Sequence, residues 1–355
     1  MYRVVGFLIL LLFLLAIYYS VKSFKNLSVF KNIKNKFLVL LLSFIPLVII
    51  FILFNTVNAI VVLAHYSFFL LMVFLVMKLL KKDNKDILVI VSVIITSLYL
   101  CYGAYQAYHV YETKYDIYTT KDIENIKIIQ IADTHIGATF DGKGFRKHIE
   151  KISKIDSDLF VITGDFIDDD TTYEDMVESC ASLSLLKSKY GVYYVNGNHD
   201  KGYYTREYTY NDFLDELRKN NVNILIDEVK EITNNVVLVG REDRQYSRKT
   251  IDDLVNNIDK SKYIIDLNHQ PNDYDNEEGN VDLVLSGHTH GGQFFPIKYI
   301  GPLLKIDDEF YGLHTRKNTN FIVTSGMSDW AIDFKTGTYS EYVIINIHGD
   351  SYEKF

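Results

Sequence analysis

Cysteine is nearly absent from this chain of 355 residues, proline and tryptophan are scarce, and charge is missing from long stretches of its first third. The two cysteines, Cys101 and Cys180, lie far apart, one of them in an apolar segment. No disulfide framework follows from them. With four prolines, one tryptophan and no low-complexity segment or internal repeat, the chain does not read as a linker array or a repeat protein. The missing charge is informative. Residues 1–108 hold ten Lys or Arg against only Asp83 and Asp86, a net of +8, so a chain of net charge −8 carries −16 beyond Tyr108. A domain that acidic repels a nucleic-acid backbone, and no nucleic-acid partner is expected. A polyanionic substrate would need a local cation to offset the field.

The apolar third divides into four stretches, Val4–Ser20, Phe37–Phe54, Val57–Met77 and Ile87–Tyr108. Each is about the length that crosses ~30 Å of hydrocarbon as a helix. No small-x-small cleavage site follows the first, so it reads as a span rather than a cleaved signal. Asn55, Thr56 and Asn58 mark the turn between the second and third, and Pro46 is expected to kink the second. Lysines crowd the loops after the first stretch and after the third, and none lies between the second and third. The positive-inside rule puts those loops in the cytoplasm and everything past the fourth span outside. The expectation is a multi-pass cell-membrane protein with an extracytoplasmic C-terminal domain. Tyr99, Tyr102, Tyr105, Tyr108 and Tyr111 recur every three residues and so wind around a helix, as an interfacial aromatic belt does. His65 alone is ionisable in the middle of a span, which argues against a transport path and for an anchor.

The domain boundaries follow as a transmembrane region over 1–110, a linker over 111–125 and a soluble domain over 126–355. In that domain β-rich runs alternate with helical ones. Strands are predicted at Ile126–Ala132, Asp158–Thr163, Gly191–Val195, Val236–Val239, Tyr263–Leu267, Val281–Leu285, Phe321–Thr324 and Tyr342–Ile347, with helices near Phe145–Ile155, Tyr173–Ser188 and Asp212–Asn220. The pattern is that of a layered α/β domain with polar motifs just past strand ends.

Those motifs are rich in metal-ligand residue types. They are Asp133-Thr-His135, Gly164-Asp165-Phe-Ile-Asp168, Gly197-Asn198-His199-Asp200, Asn268-His269-Gln270-Pro271 and Gly287-His288-Thr-His290-Gly291-Gly292. In an extended chain, residues two apart point the same way, so Asp133 and His135 could reach one ion, as could His288 and His290. Mixed Asp, His and Asn donors without thiolate suit a catalytic Zn, Fe or Mn site rather than a structural one. Any one of these motifs alone is more often a surface loop, a cap or a satisfied core histidine. Five in this order are not readily assembled by chance.

The series resembles the calcineurin-like metallophosphoesterases, and within them the membrane-anchored bacterial branch, over roughly Lys127–Ile347. The resemblance implies an α/β fold, a β-sandwich flanked by helices (αββα), here preceded by four transmembrane helices, and two divalent metal ions in the loops at one edge. It implies that Asp133, His135, Asp165 and His290 hold one ion and that Asp165, Asn198, His269 and His288 hold the other, with Asp165 shared. His199 resembles the catalytic histidine that holds no metal, and Asp168 the carboxylate that orients it. Two cations ~3.5–4 Å apart can grip phosphoryl oxygens and share a hydroxide for in-line attack on phosphorus. His199 can serve the leaving oxygen. One position departs from the Ser/Thr phosphatases of the superfamily, which follow Gly-Asp-x-x-Asp with a phosphate-clamping Arg. Here Asp169 and Asp170 stand instead. Loss of a bidentate guanidinium disfavours a doubly charged monoester and favours a phosphodiester or pyrophosphate, a lipid-linked one among the candidates. The alternative is a non-catalytic membrane sensor that binds a phosphorylated ligand through the metal site. No protein partner is implied. Asp329, Trp330 and His314 are candidates for shaping a substrate pocket.

Overall fold

The computed structural model describes residues 2–202, 207–295, 297–301, 303 and 306–349; the side chains of residues 2–10, 12 and 298 are not described. The last six residues of the soluble domain expected over 126–355 therefore lie outside the described residues. The chain divides into two compact units, one comprising Met1–Ala104 with Ala331–Asp333 and the other Tyr105–Trp330 with Phe334–Phe355.

The first unit is helical. Among the described residues three helices are long and apolar enough to cross a membrane: α2 (Lys36–Leu53), α3 (Thr56–Leu79) and α4 (Lys85–Tyr108). The first apolar stretch is also helical, as α1 (Tyr2–Lys25). Most of its side chains up to Leu12 lie outside the described residues, and the fourth expected crossing falls on them. Asn55 caps α3, its side chain accepting the Asn58 N–H at 2.8 Å, which ends one apolar helix and starts the next without a charged residue. The α2 helix runs on through Pro46. Between α1 and α3, Ser23 Oγ meets the Tyr66 hydroxyl at 2.8 Å and Phe24 stacks on Tyr66. Outward-facing Leu, Ile, Phe and Val side chains cover the rest of α2 to α4, as a lipid-facing surface requires. The tyrosine repeat is not one helical belt. Tyr99 packs on Phe69 of α3, Tyr102, Tyr105 and Tyr108 are exposed, and Tyr111 lies beyond the helix on a strand.

The second unit is a four-layered sandwich. One six-stranded sheet has the order β1 (Val110–Tyr118), β12 (Ser340–His348), β2 (Ile126–Ile131), β3 (Leu159–Thr163), β4 (Val192–Val195), β5 (Val222–Ile224). The other runs β10 (Gly312–Arg316), β11 (Thr319–Val323), β9 (Leu283–Ser286), β8 (Tyr263–Leu267), β7 (Val236–Gly240), β6 (Glu228–Thr233). The segment expected as a linker, 111–125, thus carries most of β1, paired in parallel with β12. Alternation along β2 builds two cores at once. Ile126 and Ile128 point between the sheets with Leu159, Val161, Leu238, Ile265 and Leu285. Ile129 and Ile131 point out to helices α5 (Gly142–Ile152), α6 (Tyr173–Leu183) and α7 (Tyr210–Lys219), where Phe145, Met176 and Phe213 cover them. A third core, between the second sheet and helix α8 (Ile251–Val255), completes the αββα layering. Gln130, buried between the sheets, donates to Thr163 Oγ1 at 2.9 Å and to the Ser286 carbonyl at 3.1 Å, tying β2 to β9 across the sandwich.

One polar cluster lies inside the second sheet's helical side. The Arg241 guanidinium bonds Asp273 at 2.7 Å and Glu277 at 2.9 Å and lies 4.0 Å from Asp266, with Arg241, Asp266 and Glu277 all buried. Burial, with the charge of Asp266, raises the Glu277 carboxyl to about 8. Replacing Arg241 by Met leaves the buried Asp266 and Glu277 without their cation, while Asp273 keeps Arg248 at 3.4 Å. A loss of about 3–5 kcal/mol of unfolding free energy is expected. Urea titration followed by circular dichroism measures it, and a loss below about 1 kcal/mol would show that the cluster relaxes without its arginine.

Candidate metal centre

Five loops leave the carboxyl ends of β2, β3, β4, β8 and β9 at one edge of the sandwich, and each brings one of the motifs. This is the general ligand position in α/β sheets: strands end there and loops have room to converge. Asp133, Asp165, His269 and His288 each stand two residues past their strand. The structure brings all nine predicted residues together. His135 Nε2 lies 3.7 Å from Asp165 Oδ2, and His269 Nε2 lies 3.2 Å from the same oxygen and 3.2 Å from Asn198 Oδ1. One donor atom from each of Asp133, His135 and His290 falls within a 4.8 Å group, and so does one from each of Asp165, His269 and His288. Asp165, a member of the second group, also faces His135 of the first, and a third group joins His135, Asp168 and His199. The His135 ring lies 5.2 Å from that of His290, and the His269 ring 5.2 Å from that of His288.

The alternation expected for Asp133-Thr-His135 does not describe this geometry. Asp133 has φ 50° and His135 φ 36°, and Asp165, His288 and His290 are also left-handed, at 51°, 74° and 48°. The chain has left the extended region by the time it reaches each of these five donors. Each such residue costs on the order of 1 kcal/mol and persists only where the surroundings enforce it. Hydrogen bonds between the loops do the enforcing. The His288 N–H donates to both Asp133 carboxylate oxygens, at 2.9 and 3.0 Å, and the His199 N–H donates to Asp165 Oδ1 at 2.8 Å. Asp200 has no role assigned by the sequence pattern. It is fully buried and accepts the N–H groups of Asp165, Phe166, Ile167 and Gly197 at 2.7–3.1 Å, so it stitches the β3 loop to the β4 loop. Its position inside Gly-Asn-His-Asp is the available signal.

The histidine rings are oriented from behind. The Nδ1 of His135 faces Asp168 Oδ2 at 3.1 Å, that of His269 the Thr163 carbonyl at 2.8 Å and that of His290 the Ser328 carbonyl at 3.2 Å. A proton on Nδ1 shared with such an acceptor leaves Nε2 as a free donor pair, the usual arrangement behind a metal-bound imidazole. His135 Nε2 is fully buried and has no hydrogen-bond partner. A buried unsatisfied nitrogen aimed among carboxylates and imidazoles is what a divalent cation would satisfy, so the donor set fits the two ions that the resemblance implies. Asp168 spends its other oxygen on His199 Nδ1, also at 3.1 Å. The His199 ring then lies 5.2 Å from the half-exposed Trp330 indole. His314, also considered for the pocket, instead bonds the Tyr311 carbonyl on the β10 edge.

Lys335 is a second residue that sequence reasoning misses. Its ammonium, fully buried, bonds the carbonyls of Ser325 and Ser328 and the Ser340 hydroxyl, and pairs with Asp329 at 3.3 Å. It therefore fixes the carbonyl that orients His290. No sequence signal marks a lysine that faces inward.

Charge in the cluster is unevenly held. Burial raises the Asp133 carboxyl to about 6, helped by the charge of Asp165 and opposed by His269. Burial also opposes ionisation of Asp165, but the positive fields of His269 and His135 outweigh it and hold that carboxyl well below the usual range. His269 is the converse case: burial disfavours its charge, and the Asp165 carboxylate restores it to well above an ordinary imidazole. Burial, aided by the charge of His269, pushes His288 down to about 3. Burial lowers His290 as well. His288 and His290 are thus neutral donors, whereas His269 holds a proton that a cation would displace. Metal affinity is expected to rise with pH as that proton is lost. Isothermal titration in two buffers of different ionisation enthalpy should show proton release, and identical heats would contradict it.

Close approach between the β3 and β4 loops requires Gly197. A Cβ there would stand 2.1 Å from Asp165 Oδ1 and 2.3 Å from the Asp165 nitrogen. Gly197→Ala is expected to cost at least about 10-fold in metal affinity, in the range of displaced ligand supports. Equilibrium dialysis measures it, and an unchanged affinity would show that Asp165 is not held by this contact.

Comparison with known proteins agrees with the arrangement. Residues 126–292 match the calcineurin-like phosphoesterase family, from the strand β2 to the last histidine motif. An uncharacterized metallophosphoesterase of Campylobacter jejuni is 34% identical over 237 residues, covering 64% of this chain and 60% of that protein. One from Aquifex aeolicus is 36% identical over 196 residues, covering 52% of this chain and 72% of that protein. A transmembrane protein with metallophosphoesterase domain from Bos taurus is 28% identical over 241 residues, covering 62% of this chain and 52% of that protein. The chain spans about three-fifths of the length of the Campylobacter relative. This protein belongs to the calcineurin-like metallophosphoesterases.

Proposed function

We infer that the chain is a membrane-anchored phosphoesterase that uses two divalent cations, Mn, Zn or Fe, to hydrolyse a phosphodiester or pyrophosphate. The observation that supports this most directly is the convergence of five loops on Asp165, with the buried His135 Nε2 unpartnered beside it. Asp133, His135, Asp165 and His290 would hold one cation, and Asp165, Asn198, His269 and His288 the other. When bound, such a pair neutralises phosphoryl oxygens and acidifies water for attack on phosphorus.

The rest falls to the chain's own groups. His199 keeps one ring nitrogen on Asp168, which leaves the other as the group that can protonate a departing oxygen. Asp168 fixes the tautomer of both His199 and His135, so one carboxylate aligns an acid and a ligand together. Asp169, whose N–H donates to Asp168 Oδ1 at 2.7 Å, and the exposed Asp170 bring negative charge to the position of a phosphate clamp. That supports a singly charged phosphoryl centre over a monoester.

The transmembrane region over 1–110, with four spans, is the anchor, and the catalytic domain is extracytoplasmic. The side depends only on α4 crossing outward from the Lys-rich loop before it, and not on α1. A lipid-linked substrate fits a site tethered to a membrane.

The test is an assay of purified protein loaded with Mn, Zn or Fe against a phosphomonoester, a phosphodiester and a lipid pyrophosphate. Turnover of diester or pyrophosphate well above monoester is expected, and monoester preference would overturn the substrate class. Protease added to intact cells should remove the C-terminal domain; full protection would reverse the topology.

A further inference from the structure

Among the described residues beyond α4, exposed large apolar side chains are scattered singly, at Tyr118, Tyr173, Val229, Leu313 and Trp330, except in one place. Immediately after the last histidine motif, Phe295, Ile297, Tyr299, Ile300, Leu303 and Ile306 all face solvent, with Leu303 81% exposed and Phe295 60% exposed. A contiguous group of this kind on a water-soluble surface marks something that covers it.

The stretch is not loosely attached. Its root is the 3-10 turn His290–Gly292, followed by Gln293 at φ 43°. The Gln293 carbonyl accepts the N–H groups of Thr336 and Gly337 at 2.9 and 3.0 Å, and its side-chain amide donates to the Phe334 carbonyl at 3.3 Å. At the far side Gly301 sits on the Phe310 ring, where a Cβ would come within 2.2 Å of ring carbon. The Phe310 carbonyl in turn accepts the Thr289 hydroxyl at 2.7 Å. The stretch is thus held at Gln293, which follows the His290 turn, and at Gly301, which packs on Phe310 beside Thr289.

Three further observations identify the occupant. Residues 293–306 contain Lys298 and Lys305 and no acidic residue, although Asp307, Asp308 and Glu309 follow directly, in a domain of net charge −16. Two lysines set among apolar side chains are the kind of pattern an anionic lipid surface attracts. The stretch's composition of Phe, Tyr, Ile and Leu with lysines is that of an interfacial membrane segment. The chain itself supplies the bilayer, since α4 is apolar enough to span a membrane and ends at Tyr108, two positions before β1 begins. So short a tether keeps the local lipid concentration high, and even weak docking is then favourable.

We propose that the exposed side chains of Phe295, Ile297, Tyr299, Ile300, Leu303 and Ile306 dock into the headgroup layer of the anchoring bilayer and hold the metal centre at the lipid surface. The substrate class is accordingly a phosphoester or pyrophosphate whose apolar part remains in the membrane. The substrate part of this inference rests on the phosphoesterase reading; the docking part does not.

The experiment uses the full chain in phosphatidylethanolamine–phosphatidylglycerol vesicles, in a Cys101→Ser background with the buried Cys180 left in place. A nitroxide is attached at Leu303→Cys, at Phe295→Cys or, as a water-facing control, at Val229→Cys, and its accessibility to oxygen and to a polar nickel chelate is measured. The labels at 303 and 295 should lie about 5–10 Å below the phosphates, with Val229→Cys in water. Labels at 303 and 295 as water-accessible as the control would overturn the docking. Spin–spin broadening that disappears on dilution with unlabelled chain would overturn it in favour of a second copy. In parallel, the triple variant Phe295→Ser, Leu303→Ser, Ile306→Ser should lose at least ten-fold in kcat/KM on a vesicle-embedded lipid pyrophosphate while keeping its rate on soluble bis(p-nitrophenyl) phosphate. Equal losses on both would overturn the substrate class. If the parent hydrolyses neither substrate, the phosphoesterase reading fails, and the label depths still decide the docking.

Discussion

Asp165→Asn is expected to abolish turnover, by on the order of 10³-fold or more, and to leave the purified protein short of metal. Asp165 is within reach of both donor groups: its Oδ2 lies 3.7 Å from His135 Nε2 and 3.2 Å from His269 Nε2, and its Oδ1 accepts the His199 N–H. An amide of the same shape keeps the packing and removes the negative charge. Two cations cannot approach closely without a shared anion between them, because their repulsion in a buried site is large. The change should therefore cost binding of the second ion first. Metal content measured alongside rate separates this from a simple fold defect. Full occupancy with unimpaired turnover would remove Asp165 from its assigned position.

His199→Ala should behave in the opposite manner, with metals retained and rate lost. General acid catalysis is worth about 10²–10⁴-fold. The loss should depend on the leaving group: large for an alkyl ester, whose departing oxygen needs a proton, and small for a p-nitrophenyl ester, whose oxygen does not. His199→Gln, which keeps a hydrogen-bonding group near Asp168, should show the same dependence. A uniform loss across leaving groups would indicate that His199 only supports the fold around Asp168. Unaltered ligand response with no turnover in the parent protein would favour the sensor alternative.

Much of the fold is legible in the sequence, and the omissions share one cause. The eight strands predicted from apolar runs all exist, because each lies inside a sheet or is covered on both faces. The four strands that the pattern misses, β1, β5, β6 and β10, are the four sheet edges. Edge strands need only half their faces buried and carry charge that discourages further pairing. In β6, Glu228-Val-Lys-Glu is exposed throughout, and β1 alternates Glu112, Lys114 and Asp116 with Tyr111, Thr113, Tyr115 and Ile117, so it reads as a linker. The donor residues are legible because chemistry restricts which side chains can serve, and their motifs sit at strand ends. Their left-handed backbone is not, since nothing in Asp133-Thr-His135 signals positive φ at two non-glycine residues. Asp200 is marked only by its place in Gly-Asn-His-Asp, which does not give its role, and no pattern reveals Lys335; both roles arise from tertiary burial against backbone groups far along the chain.

The central claim is that two adjacent cations share Asp165. Its most direct test is anomalous diffraction, at the metal absorption edge, from crystals of the natively loaded protein. Two peaks about 3.5–4 Å apart, with the Asp165 carboxylate between them, are expected. One peak alone, or two peaks of which neither touches Asp165, would contradict the account.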